Sequence, residues 1–353
     1  MIIEPDFPCF GHFHEIPPLA KMFDSGTMPR LFYDVQSVSA IISLSLITGS
    51  FSTYLLNKFL INTVAICLQK NKENHMINDE KSKIADQIIK KTRSMGASLV
   101  GIASVENLKK SPSHEIYTKI EPNKGVGSRD YEKGVKPGEV AWPSNAQSAL
   151  VIALAHKEDD LEMDWWIEYE HDRESRGYQI LQNILTEVSI WVEQKFSLVT
   201  HLLPYHLEKG GIFYKDAGVL AGFGCIGKNN LLVTPEYGPR VRVSALLFDD
   251  ALPATGPVIY DPCNGCNEPC RQACPQNAFC KAVHSPIEME MVTLPGRDGN
   301  YNRERCRPET EKNIEDKEVI QLEGHKEPVS VIKFCRLCEL SCPIGKDKKI
   351  FHP

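Results

Sequence analysis

Short apolar runs and amphipathic stretches alternate through the middle of the chain. Leu99–Ile102 and Ser148–His156 have the length and composition of buried strands, and Arg240–Asp249 begins with alternation before it becomes apolar. Arg176–Phe196 instead repeats its apolar residues at helical spacing, and a charged amphipathic helix begins near Met76. This pattern predicts an α+β fold in which strands and helices interleave up to about residue 250.

Residues 1–75 differ from the rest of the chain. Met1–Arg30 is rich in proline and has no periodic pattern, whereas Gln36–Asn57 runs without a charge. That run is about as long as a membrane-spanning helix, but its serines and threonines make it weakly hydrophobic. Residues 1–75 are therefore a wrongly assigned start, a loose membrane anchor or an extra element, and we expect the functional region to begin near Met76.

The pattern changes again after residue 252, where cysteine-rich loops and short helices are predicted. We therefore expect a catalytic domain over residues 76–252 and a cluster-binding domain over residues 253–353. Within the latter, the charged stretch Arg307–Pro328 indicates a solvated excursion rather than core.

Composition limits the class of protein. With 353 residues, 42% of them apolar, the chain can bury one large core or two smaller ones without disulfide bridges. Its net charge of -6 gives no general attraction to phosphate backbones or anionic membranes. Nucleic acid is therefore not expected as a partner on grounds of charge.

The cysteines are clustered rather than scattered. Ten of the twelve fall between Cys225 and Cys342, and eight of those form two similar arrays. Such clustering indicates metal ligands in a reducing compartment, so we expect a cytoplasmic protein. The arrays are Cys263-x2-Cys266-x3-Cys270-x3-Cys274-Pro and Cys306 followed by Cys335-x2-Cys338-x3-Cys342-Pro.

This spacing is typical of two 4Fe–4S clusters. Zinc is the alternative, because paired C-x2-C units also form zinc ribbons, but the Cys-Pro that ends each array favours iron-sulfur. In two-cluster ferredoxins the cysteine before proline binds the other cluster. We therefore expect one cluster on Cys263, Cys266, Cys270 and Cys342, and a second on Cys274, Cys306, Cys335 and Cys338.

A glycine-rich segment precedes the first array. Gly222-x-Gly224-x-x-Gly227 matches the dinucleotide-binding fingerprint, but the prolines and glycine within residues 235–239 leave no room for the helix that such a loop must open. We expect these glycines to let the backbone approach a flat, bulky group, with Lys228 and Asn229 offering hydrogen-bond donors to it.

The segment "AGFGCIGKNNLLVTPEYGPRVRVSALLFDDALP", the first array, the lone Cys306 and "CRLCELSCP" resemble the epoxyqueuosine reductase and reductive dehalogenase group. The resemblance runs from about Met76 to Pro343 and is strong from Asp216. It implies a nitroreductase-like core that binds cobalamin, followed by a ferredoxin-like module with two 4Fe–4S clusters. It further implies a base-off corrinoid against the "GFGCIGKNN" segment, and a low-potential electron donor such as a ferredoxin or flavodoxin.

The chain also departs from that group. Cys225 stands where epoxyqueuosine reductases carry an aromatic residue, and Glu208 aligns near their catalytic aspartate. The helical-repeat tail that they use for tRNA is missing, since the chain stops at Pro353. We therefore expect a small molecule or the corrinoid of a partner protein as substrate, and no tRNA.

The candidate proton donors lie just upstream of the glycine segment and are Glu208, Tyr214 and Asp216. Each is alternatively a surface residue or a helix cap. Three functions stay open at this point. They are a corrinoid and iron-sulfur reductase, an electron carrier without corrinoid, and an anchored membrane subunit; the length of the chain before the arrays favours the reductase.

Overall fold

The computed structural model describes residue 69, residue 76 and residues 78–120, 140–156, 161–169 and 173–346, with Leu161 and Glu208 described through their backbone alone. The chain divides into two compact units, Met1–Asn74 and His75–Pro353. Gln36–Asn57 lies outside the described residues. Among the described helices none is both long and apolar enough to cross a membrane. The second unit contains both regions that the sequence analysis separates at residue 252.

A four-stranded antiparallel sheet forms the centre of the second unit, with strand order β1-β2-β8-β5. Its strands are β1 (Leu99–Ser104), β2 (Ser148–Ala155), β5 (Thr200–Leu202) and β8 (Val241–Phe248). All eight residues of β2 are buried, which explains its continuous apolar sequence. The three strands predicted from the sequence are therefore confirmed as neighbours in one sheet.

Helices cover both faces of this sheet. On one face, the helix 78–94, called α1, and α4 (Arg176–Phe196) pack Ile88 and Leu181 against Ile152. On the other, α2 (Val105–Lys109) and α5 (Tyr214–Leu220) pack against the alternate strand residues. The predicted mixed α and β architecture is confirmed, and the second face carries the glycine segment.

A second sheet joins the two parts of this unit. Its order is β4-β3-β10-β9, and the strands are β3 (Trp166–Glu168), β4 (Arg173–Ser175), β9 (Glu318–Ile320) and β10 (Val329–Ile332). The buried Ile167 of β3 pairs with the buried Val331 of β10. The prediction of loops and short helices after residue 250 was thus incomplete, because the charged stretch forms part of α8 (Arg303–Glu315) and all of β9.

The glycine segment ends α5 and continues into a hairpin of β6 (Cys225–Ile226) and β7 (Leu232–Val233). No helix opens directly after the last glycine, which agrees with the expected lack of room for a crossover helix. The remaining elements are α3 (Pro112–Tyr117), α6 (Pro269–Gln272), α7 (Pro286–Met289), α9 (Leu337–Leu340), and 3-10 turns at Leu161–Asp164 and Leu207–Lys209.

Candidate metal centre

The first group of cysteines converges on one small cavity. Cys263, Cys266, Cys270 and Cys342 all line it, although Cys342 lies far along the chain from the other three. The pKa of Cys270 is raised to about 11, first by burial and then by the charges of Cys342, Cys263 and Cys266. The loop before α6, α6 itself and the residues after α9 therefore bring these four thiols close enough to interact electrostatically.

The second group shows the same arrangement. Burial raises the pKa of Cys338 to about 12, with contributions from Cys335, Cys274 and Cys306. The pKa of Cys335 is also raised, by burial first and then by charges that include those of Cys306 and Cys274. Cys274 is the last cysteine of the first array in sequence, yet the cysteines with which it interacts electrostatically belong to the second array.

The chemistry of each group suits a 4Fe–4S cluster, which takes four cysteine thiolates. Close, buried thiols resist ionising together because their negative charges repel, and a metal centre supplies the positive charge that offsets this repulsion. The residues present therefore fit two such clusters. We refer to Cys263, Cys266, Cys270 and Cys342 as set I, and to Cys274, Cys306, Cys335 and Cys338 as set II.

The three glycines before the first array face the chain itself. A Cβ at Gly224 would lie 2.0 Å from the carbonyl oxygen of Val233, and one at Gly227 would lie 2.6 Å from the Val233 side chain. A Cβ at Gly222 would lie 3.1 Å from the carbonyl oxygen of Thr255. Close backbone approach is thus required here, but by neighbouring segments, and contact with a corrinoid stays a prediction.

Lys228 and Asn229 direct their donors toward the cysteine-rich region. Lys228 Nζ donates to Glu268 Oε1 at 2.6 Å, and the buried Asn229 donates through Nδ2 to the carbonyl oxygen of Cys338 at 3.2 Å. Both residues also line the cavity of set I. Asn229 therefore contacts the surroundings of both sets, and the glycine segment supports the cysteine loops.

Two of the candidate proton donors are engaged inside the protein. The Tyr214 hydroxyl donates to the carbonyl oxygen of Pro204 at 2.7 Å, and burial raises the pKa of Tyr214. Asp216 is buried and accepts from the backbone N–H of Ser113 at 2.8 Å and from the Ser113 hydroxyl at 2.7 Å. Asp216 thus holds the start of α3, which is a structural role.

Glu208 lies in a tight turn between β5 and α5, and its side chain is outside the described residues. The turn is closed by hydrogen bonds from the N–H groups of Lys209 and Gly211 to the carbonyl oxygen of His206. A Cβ at Gly211 would lie 2.7 Å from the carbonyl oxygen of Pro204. The backbone that carries Glu208 is therefore closely constrained.

A buried ion network next to set II was not predicted. Asp164 pairs with Arg242 and with Arg336, each at 2.6 Å, and Glu339 pairs with Arg336 at 2.6 Å. His156 lies 3.0 Å from Asp164 and 3.4 Å from Glu339. These two carboxylates and the imidazole have the spacing of a metal site, but the two guanidinium groups already balance the carboxylate charges. No sequence motif marks this network, because it joins three segments that lie far apart along the chain.

The same network positions the loop between Cys335 and Cys338, since Arg336 lies within this loop and Glu339 directly follows it. Burial lowers the pKa of His156, so the imidazole is neutral near pH 7. Burial alone would raise the pKa of Asp164, but His156 and Arg242 lower it, which keeps the carboxylate charged. The loop of set II that carries Cys335 and Cys338 is thus tied to the central sheet, at the end of β2 and at β8.

Cys225, which belongs to neither array, lies beside set I. The pKa of Cys225 is raised to about 11, first by burial and then by the charge of Cys263, while Arg297 acts to lower it. Arg297 is itself held by Asp261, two residues before Cys263, through N–O distances of 2.6 and 2.7 Å. Set I therefore has a fifth thiol within electrostatic reach.

Comparison with known proteins gives a sequence relative. No protein-family model matches the chain. An epoxyqueuosine reductase from Lactococcus garvieae is 24% identical over 216 residues, which are 59% of this chain and 55% of that protein. The chain thus spans about half the length of this curated relative.

Solved structures with a similar arrangement include an epoxyqueuosine reductase bound to an epoxyqueuosine-modified tRNA stem loop. It has a TM-score of 0.49 and 19% identity, over 77% of this chain and 68% of that one. A reductive dehalogenase, whose structure was used to suggest a mechanism for B12-dependent dehalogenation, has a TM-score of 0.45 and 15% identity over 74% of this chain and 32% of its own. By sequence, this chain is thus similar to an epoxyqueuosine reductase, in agreement with the resemblance of its motifs.

Proposed function

We propose that this protein is a reductase in which two 4Fe–4S clusters deliver low-potential electrons to a bound corrinoid. The substrate is a small molecule or the corrinoid of a partner protein, and the electron donor is a ferredoxin or flavodoxin. The observation that carries the proposal is the division of eight cysteines into set I and set II, with Cys274 and Cys342 exchanged between the arrays. That exchange is the ligand pattern of a two-cluster ferredoxin.

The chain's own residues would hold and insulate these groups. Bound clusters supply one-electron transfer, and a bound corrinoid supplies a strongly reducing centre. Set I and set II hold the clusters, Asn229 links their two loops, and the ion network around Asp164 fixes the loop of set II. The turn at residues 206–211 would present Glu208 as an acid to the substrate.

The similarity to an epoxyqueuosine reductase supports reductase chemistry. It does not identify the substrate, because the chain spans only 55% of the length of that relative. One structural neighbour was solved with a tRNA stem loop, which differs from our expectation that tRNA is not bound. We retain that expectation because the net charge of -6 disfavours phosphate backbones.

An electron carrier without corrinoid is the second candidate. It is favoured by the packing of Gly224 and Gly227 against Val233 and by the internal hydrogen bonds of Lys228 and Asn229. These contacts give the glycine segment a structural role that does not require a bound cofactor.

Metal and corrinoid analysis separates the two candidates. After anaerobic reconstitution with iron, sulfide and cobalamin, we expect about eight irons and about one cobalt per chain, since each 4Fe–4S cluster carries four irons. Iron without cobalt would favour the carrier. Zinc in place of iron would refute both.

Substitution of Glu208 tests the proton donor. Glu208→Gln keeps the size of the side chain and removes the acid, so turnover should fall by roughly 10²-fold or more while iron and cobalt contents stay unchanged. Asp216→Asn is the matched control, because that carboxylate holds α3 and is expected to affect stability rather than the chemical step. Unchanged turnover in Glu208→Gln would exclude it as the acid.

A further inference from the structure

Arg240 is a buried cation against set I. It precedes β8 and is 2% exposed, and it donates through one nitrogen to the carbonyl oxygen of Cys342 at 3.3 Å and through another to that of Ile344. Burial raises the pKa of Cys342, and the positive charge of Arg240 partly counters that rise. The guanidinium therefore lies close enough to act on set I electrostatically.

The position of Arg240 is fixed from both sides. A Cβ at Gly238 would lie 2.0 Å from the carbonyl oxygen of Ile344, so the turn before Arg240 touches the segment after Cys342 backbone to backbone. Thr234 and Gly238 exchange two backbone hydrogen bonds of 2.9 Å across this turn. The charge is thus held in place rather than carried on a mobile side chain.

A fixed positive charge changes how readily a nearby cluster is reduced. Reduction adds one negative charge to the cluster, and a cation in a medium of low dielectric constant stabilises that charge. The reduction potential of an iron-sulfur cluster accordingly depends on net charge and hydrogen bonding around it. Arginine is suited to this because it does not lose its proton at accessible pH.

We propose that Arg240 raises the reduction potential of the cluster on set I. The inference rests on the two clusters of the proposed function. It gives the first part of the chain electrostatic control over one of the two centres, so that their relative potentials are set from outside the cysteine loops.

The test is a redox titration of the reconstituted protein followed by electron paramagnetic resonance. In Arg240→Gln the midpoint potential of one cluster should shift to more negative values, and that of the other should move much less. Cys342→Ala and Cys274→Ala, which are each expected to remove one cluster, identify the two signals. Equal shifts of both potentials, or no shift of either potential in Arg240→Gln, would overturn the proposal.

Arg240→Lys separates the effect of the charge from that of the hydrogen-bond geometry. It is also the variant to be measured if Arg240→Gln does not fold. A lysine retains the charge but not the two-pronged contact with Cys342 and Ile344, so the potential should stay near that of the unsubstituted protein. A shift as large as that expected for loss of the charge would refute the electrostatic effect. Failure of the unsubstituted protein to bind two clusters would instead refute the proposed function.

Discussion

Cys274→Ala is expected to remove the cluster on set II and to leave the cluster on set I, although Cys274 is the last cysteine of the first array. The iron content should fall from about eight to about four per chain. The reason lies in the chain direction after each array, where proline fixes φ and removes a backbone donor, which favours an exit from the loop. It also agrees with the electrostatic contacts of Cys274, which lie with Cys335 and Cys338.

Double variants sharpen this test. Adding Cys306→Ala to Cys274→Ala should cost little further iron, because both substitutions affect set II. Adding Cys263→Ala to Cys274→Ala should remove the cluster on set I as well. Electron paramagnetic resonance of the reduced variants counts the surviving clusters. If Cys274→Ala and Cys263→Ala removed the same signal, each array would build its own cluster and the exchange would be wrong.

Asp164→Ala is expected to lower the free energy of unfolding by about 3–5 kcal/mol, the usual cost of breaking a buried ion pair from one side. The substitution leaves the guanidinium groups of Arg242 and Arg336 buried with one carboxylate, Glu339, between them. Since Arg336 and Glu339 flank Cys338, the cluster on set II should be lost before the one on set I.

Anaerobic chemical unfolding, monitored by circular dichroism, measures this effect. Glu106→Ala is the control, because Glu106 forms an ion pair with Lys110 in which the two side chains are 77% and 66% exposed, and it should leave the unfolding midpoint nearly unchanged. Equal midpoints for the two variants would mean that the buried network does not stabilise the fold.

The sequence predicts β1, β2 and β8 of the central sheet because these strands are buried on both faces, whereas the short, partly exposed β5 was not predicted. A run such as Ser148–Ala155 carries the signal in every residue. β9 and β10 were missed because they are short, and β9 contains a charged residue and lies at a sheet edge. The pairing of β10 with β3 depends on contacts between distant segments, which a local pattern does not record.

The candidate site divides in the same way. Cysteine spacing is a local property, so the two sets could be predicted from the sequence. Asp164 and Arg240 act through partners more than a hundred residues away, and no short motif describes such a contact. The glycines were recognised as positions of close approach, but the sequence alone does not distinguish approach to a ligand from approach to Val233.

The exchange of Cys274 and Cys342 makes the two cysteine sets nested cross-links. Cys270 and Cys274 are four residues apart, as are Cys338 and Cys342. A cluster on set I would close the loop from Cys270 to Cys342 and so bring Cys274 near Cys338, and a cluster on set II would likewise bring Cys270 near Cys342. Much of the conformational entropy of this closure is thus lost once rather than twice. We therefore expect cluster loading to be cooperative, with chains that hold both clusters or neither enriched at limiting iron.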